Sequence, residues 1–291
     1  MPISRRAFLT AASAVTLLGT AAALPSPAPS APSVAVLGLG GAGISATNRL
    51  LPMLRGPVEV VAADADLPTL RASLAADRLL VRGEAELPLL LPRLAGHSIL
   101  VGGLGGGFAT SALSTLSRRA PSAAAVVTTP FWFEGRARRR VAHVALASLA
   151  ESAQLLVPVA LQDLLLTSGR VPLQGAVHRA DQVVAHVVDA VRVALVLHAR
   201  GVLPSVAGLA SPSVAQGSDP VEAVRAAAAQ QDQAFATARS VLVHLRGSAP
   251  SPADAHDLEA FVRSRCGLDP LLSHSHGEGS DTASVLVLKA A

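Results

Sequence analysis

The 291-residue sequence contains no tyrosine, one tryptophan, one cysteine and, in Lys289, one lysine. A single cysteine, Cys266, excludes an internal disulfide, and it reads as a packed thiol rather than a nucleophile. Aromatic residues make up 2% of the chain, so base-stacking platforms are missing; a net charge of +4 without an Arg/Lys stripe does not make a nucleic-acid surface. Charged residues are scarce at 15% and apolar ones reach 51%, which excludes a disordered chain. The length suffices for one large or two modest domains with real cores.

The first segment stands apart from that composition. Ser4 to Leu9 reads SRRAFL and leads into a weakly apolar run of Ala, Ser and Thr up to Leu24, with the small residues Ala21 to Ala23 suited to cleavage. This resembles a twin-arginine export signal, so residues 1–24 are set outside the fold. Residues 25–32, within PSPAPSAPS, form a proline-rich linker. The expected location is periplasmic, or membrane-tethered if the signal stays in place, since Phe8 to Leu24 is long enough to cross a bilayer. A soluble extension on a cytoplasmic protein is the alternative.

Nine of the 23 glycines are gathered at two places. In His97 to Ser111, HSILVGGLGGGFATS, an apolar strand runs into a glycine turn and then a helix that turns amphipathic from Ala112. Glycine lets backbone approach a ligand, and the free N–H groups of the following helix suit an anion such as phosphate. Earlier, the strand Ser33 to Leu37 leads into Gly38 to Gly43, GLGGAG, and a helix from about Ile44 to Leu54. Alone, GLGGAG fits a dinucleotide-binding turn, with a second strand from Val58 to Ala63 ending at Asp64 where a ribose-binding acid would sit. An NAD-dependent oxidoreductase is therefore one alternative. It needs only one such loop, and no catalytic acid or base for it is evident.

Taken together, the motifs resemble the FtsZ/tubulin family. Val34 to Leu50, VAVLGLGGAGISATNRL, is similar to the family's first nucleotide loop and helix, with Asn48 and Arg49 at its Asn-Arg pair. Val58 to Leu70 resembles the second strand and its Asn-Thr-Asp loop, with Asp66 matched and Asp64 in place of Asn. Gly103 to Ser111 is similar to the signature G-x-G-G-G-T-G-T-G, and PFWFEG from Pro130 to Gly135 to the Pro-Phe-x-Phe-Glu-Gly turn that cups the ribose. The resemblance covers residues 33–291. It implies an α/β fold: a Rossmann-like GTP-binding domain over residues 33–181, a central helix over 182–201 and a smaller α+β domain over 202–291. Helices are expected at 141–153, 183–199, 220–231 and 252–265, with strands at 155–159, 240–247 and 283–289. The acidic-hydrophobic docking tail of bacterial FtsZ is expected to be absent after Ala291.

The resemblance also implies a site for GTP or GDP, with or without Mg²⁺. Gly40, Gly41, Ala42 and Gly43, and Gly105, Gly106, Gly107, Phe108 and Ala109, would hold the phosphates, with Thr110 adding a hydroxyl. Asn48 and Asp66 fall on family positions. Glu134 would accept from the ribose hydroxyls, Arg138 would lie near ribose and phosphates, and Asp181 would take the guanine contact of a family Asn. Glu134 and Arg138 could equally be an i, i+4 pair, and Asp181 a solvated helix residue. No metal site is assigned: His274, His276, Glu278 and Asp281 are expected on a Gly/Ser loop.

The departures concern hydrolysis. Phe108, Ala109 and Ser111 replace a Thr and two glycines, so side chains are expected to intrude on the phosphates. Val177 stands where a Phe stacks on the base. The family's catalytic loop, Asn-x-Asp-Phe-x-Asp, is matched by Leu203 to Ser211, LPSVAGLAS, with Pro204, Val206 and Leu209 at the polar positions; no catalytic residue is assigned. The implied function is GTP binding with head-to-tail self-assembly in bacterial division or the envelope, meeting unknown division or envelope proteins, with weak or no hydrolysis. The alternative is a nucleotide-free structural homologue built for interaction.

Overall fold

The computed structural model describes residues 9–10 and 34–289, apart from 95, 168–171 and 278. The twin-arginine segment and the proline-rich linker lie outside the described residues, except for a two-residue strand, β1 (Leu9–Thr10).

The chain then alternates strand and helix. β2 (Val34–Leu39) is buried throughout and leads into α1 (Gly40–Leu50); β3 (Val58–Asp64) is followed by α2 (Leu67–Arg71) and β4 (Asp77–Leu80). A 3₁₀ segment (Glu84–Leu94), broken by Pro88 and Pro92, carries the chain to β5 (His97–Gly103) and α3 (Phe108–Arg119). β6 (Ala123–Thr129), α4 (Arg136–Ser152), β7 (Leu155–Ala160) and α5 (Leu161–Thr167) complete this half. The long α6 (Leu173–Ala199) then precedes β8 (Gly208–Gly217), α7 (Pro220–Ala228), α8 (Asp232–Phe235), β9 (Ala238–Gly247), α9 (Pro252–Cys266), β10 (Leu271–His276) and β11 (Asp281–Lys289).

All strands belong to one sheet, ordered β1-β10-β9-β11-β8-β7-β6-β5-β2-β3-β4. From β4 to β8 every pairing is parallel; β11 runs antiparallel to both β8 and β9. The two halves are spliced where Leu155 and Leu156 of β7 register with Gly208 and Leu209 of β8. A parallel sheet needs cover on both faces, and β2 shows how its sequence answers. Val34 and Val36 point to one core, whereas Ala35, Leu37 and Leu39 point to the other. α6 fills the first face with Val184, Val187, Val188, Val191 and Leu195. It is long and apolar enough to cross a membrane, but its apolar window is 72% buried within the protein, as a core helix would be. A third cluster, around Val224, Leu258 and Val285, packs α7 and α9 on the C-terminal strands.

A buried polar cluster ties α6 to those strands. Asp189 Oδ1 accepts from Arg192 Nε at 2.9 Å and Nη2 at 2.7 Å, and its Oδ2 lies 3.2 Å from His244 Nε2 on β9. Burial raises the Asp189 carboxyl, but the hydrogen bond and charge of His244 and the charge of Arg192 more than offset it, holding it well below the usual carboxylate range.

Several boundaries differ from the sequence expectations. α6 starts ten residues before Val183, and α3 starts at Phe108 rather than Ala112. The run 208–211, expected in a loop, begins β8, where pairing with β7 and β11 overrides the Gly, Pro and Ser content of Gly208–Gly217. His274, His276 and Asp281 lie on strands rather than on a loop; His274 is buried with Nε2 3.0 Å from Gly247 O, and Asp281 Oδ1 accepts from Ser248 N. Glu278 lies outside the described residues, and among those described no group of His, Cys, Asp and Glu could hold a metal ion.

Candidate functional site

β2 and β5 are neighbours, so their C-terminal ends deliver α1 and α3 to the same edge of the sheet. The glycines make that convergence possible. A Cβ on Gly43 would lie 2.2 Å from Val101 O, so glycine there is what lets α1 settle on β5. Gly40 (φ 70°) and Gly105 (φ 93°) turn the chain through a backbone region that other residues avoid. A Cβ on Gly40 would sit 3.0 Å from the Ala109 methyl, so the two loops touch there.

Neither helix caps its own start. α1 follows Leu39 and α3 follows Gly107, with no side-chain cap and no acidic residue in either first turn. Their N–H groups and the positive ends of their dipoles thus meet at one edge, a combination that favours anionic oxygens. There is room for them: a Cβ on Gly107 would meet nothing within 4 Å, one on Gly106 only Arg138 Nη2 at 3.9 Å, and one on Gly41 only the Thr69 methyl at 3.7 Å. An anionic group therefore has both donors and space at this edge.

The signature's altered residues do not intrude as the sequence suggested. Phe108 packs on the core, the Ala109 methyl fills the gap between the loops, and Ser111 Oγ donates to Phe108 O at 3.2 Å. Thr110 Oγ1 accepts from Gly105 N at 3.0 Å, closing the loop while leaving its own proton free to donate. Ala42 stands in the first turn of α1, its Cβ 3.1 Å from where a Cβ on Gly103 would lie.

The remaining predicted residues are more committed to the protein itself. Asn48 Nδ2 donates to Ala72 O at 2.9 Å and its Oδ1 accepts from Leu74 N at 2.7 Å, so it pins the turn after α2. Asp66 caps α2, accepting from Thr69 N at 2.9 Å and Thr69 Oγ1 at 2.7 Å; these bonds lower its pKa. Glu134 accepts from Phe131 N at 2.7 Å and pairs with Arg138 Nη1 at 3.0 Å. Arg138 lies across the second loop, its Cγ 2.7 Å from where a Cβ on Gly105 would be. Asp181 is partly buried on α6; burial pushes its carboxyl up to about 6 against the opposing charges of Arg49 and His178. Val177 is exposed.

The connection from α6 to β8 is short and mostly exposed, held down by two apolar side chains. Leu203 and Val206 are buried, His198 Nδ1 lies 2.9 Å from Leu203 O, and Leu209 belongs to β8. Residues 200–207 contain no carboxylate. What the sequence did not disclose was the contact of Ala109 with Gly40 and the anchoring role of Asn48; both depend on where distant segments meet.

No family model matches the chain. It is 28% identical over 158 residues to the Cell division protein FtsZ 2 of Rhizobium meliloti, a match covering 46% of each chain. The chain spans about half the length of the curated relatives it matches. In fold it superposes on an FtsZ mutant from M. jannaschii with a TM-score of 0.77 at 22% identity, covering 89% of this chain and 91% of that one. CetZ2 from Haloferax volcanii, solved as a GTPgS-bound protofilament, gives a TM-score of 0.65 at 15% identity over 88% of this chain and 92% of its own. The chain is thus similar in sequence to cell-division FtsZ proteins and shares the fold of solved FtsZ and CetZ structures, findings that support a divergent FtsZ/tubulin-type protein.

Proposed function

We propose that this protein binds GTP or GDP at the edge where α1 and α3 begin, and that the bound nucleotide governs head-to-tail assembly of identical subunits. The observation that carries this reading is the pair of uncapped helix starts with open glycines above them. Thr110 and Arg138 would add a hydroxyl and a guanidinium to the phosphates, and Asp181 would face the base. Assembly is supported by the relative solved as a protofilament. Any Mg²⁺ would be held by the phosphates, since the described residues offer no ligand cluster for it.

Hydrolysis is weak or absent in this reading. Phosphoryl transfer to water depends on positioning and charge stabilisation, and residues 200–207 supply no carboxylate for either. Residues 1–24 direct export in the same proposal, which would keep the site away from cytoplasmic GTP; a reporter fused to residues 1–35 should leave the cytoplasm, and its retention would remove this part.

A second reading is favoured by one arrangement: Glu134, Arg138 and Asn48 are satisfied within the protein. It makes the chain a nucleotide-free homologue that acts through partner binding. Titration of the purified protein with labelled GTP and GDP, with and without Mg²⁺ and with NAD as control, separates the readings. Saturation at micromolar GTP supports the first, silence at millimolar nucleotide supports the second, and preference for NAD would overturn both.

A further inference from the structure

We propose that the outer ridge of α4 is a docking surface for an anionic phospholipid bilayer. The helix opens with Arg136, Arg138, Arg139 and Arg140 and has no acidic residue in its first turn. Arginines there face the positive end of the helix dipole, a placement that disfavours them unless an anion is near. Arg138 has Glu134; Arg136 and Arg140 are exposed and have no carboxylate partner among the described residues. The first acidic side chain along α4 is Glu151, at its far end.

Apolar surface continues the same stripe. Positions 136, 140 and 144 stand one above the other, and Val144 is 65% exposed beside Val141 at 47%. At the N-terminal end of the ridge the preceding turn exposes Trp132 to 63% and Phe133 to 58%. Along one flank an open groove of about 660 Å³ between α3 and α4 takes in Arg140, the two valines and Ser148, and reaches Gly106, Gly107 and Thr110 of the second glycine loop. Trp132 lies on the Arg139 and His143 flank of α4, and Val141 and Val144 on the Arg140 flank. Guanidiniums, an indole and branched apolar side chains around one helix start form the pattern that binds a lipid interface, with headgroup phosphates meeting the arginines while Trp132 and Val144 enter the acyl boundary. Charge complementarity selects anionic lipid over zwitterionic lipid.

The test uses the full chain and the fact that Trp132 is its only tryptophan. The apolar run near the N-terminus would enter any bilayer, so binding alone is not the readout. Vesicles of phosphatidylglycerol with phosphatidylcholine should shift Trp132 emission to the blue and expose it to quenching by brominated acyl chains, and phosphatidylcholine alone should not. The R136E/R140E variant should need about 30-fold more anionic lipid for the same shift, and R136K/R140K should restore it. The V144D variant should weaken the shift, and added salt should too. Unchanged emission with anionic vesicles, or an R136E/R140E variant equal to the wild type, would overturn the proposal. So would polyglutamate competing for Arg140 while Trp132 stays in water, which would make the ridge a site for an acidic protein.

Discussion

Two pairs of helix starts in this molecule are treated in opposite ways. In the C-terminal half, α7 is capped by Asp219, which accepts from Glu222 N, and α9 by Ser251 with Asp254 returning the bond. In the N-terminal half, α1 and α3 are left bare. The same physics operates at both, because each helix has N–H groups without internal partners. Where the protein supplies its own oxygens, the end is finished; where it supplies glycine, the end awaits an oxygen from outside. α4, α6 and α8 also lack a side-chain cap, but α1 and α3 are the pair that start beside the two glycine loops, and α2, next to the first loop, is capped by Asp66.

The strongest way to break this contrast is to remove the glycine that lets α1 approach β5. Gly43→Ala puts a methyl 2.2 Å from Val101 O, and we expect a loss of about 3 kcal/mol, a melting temperature lower by roughly 10 °C, in thermal unfolding. An unchanged melt would mean that the close packing is not needed. A sharper test supplies the missing anion. Gly107→Asp has open space around it, so stability should hold or rise by about 0.5 kcal/mol while GTP affinity falls at least about tenfold. If affinity holds, the bare end of α3 is not where phosphate binds.

The converse change strips a finished end. Asp219→Ala should cost about 1 kcal/mol and shift melting by about 3 °C, with nucleotide affinity unaltered. The smallest effect is expected at Asp181. Its folded-state carboxyl, raised to about 6 by burial, is uncharged in the folded protein at pH values where the unfolded chain already ionises. Ionisation therefore lowers stability as pH rises from about 4 to about 6. Asp181→Asn should flatten that part of the stability-versus-pH curve and leave the protein slightly more stable at neutral pH; an identical curve for the variant would refute it. His186 works against it in the same range. Burial lowers it to about 4, so falling pH protonates the unfolded chain first and destabilises the fold below pH 6.5.

Much of the edge where α1 and α3 begin was legible because it is written in local signals. Glycine runs after apolar strands at 38–43 and 102–107, and the PFWFEG turn, carry their geometry in consecutive residues. β8 was not legible, since GLASPSVAQG has poor strand propensity and becomes a strand through its neighbours β7 and β11. β10, LLSHSH, read as a polar loop because its burial depends on partners far along the chain: His244 meets both Ser273 and Asp189, which lies 55 residues away. Phe108 looked obstructive in sequence because nothing local says that its ring turns to the core.

The splice between β7 and β8 has a mechanical consequence. Gly208 N donates to Gln154 O at 2.8 Å, and the ladder then runs unbroken from β4 to β10. A hinge between the halves would have to tear this seam, so a load on one half passes into the other through backbone as well as through the core that α6 shares with both. The amide of Leu209 should then exchange with solvent only when the whole protein opens, and the molecule should bend as one plank before it parts.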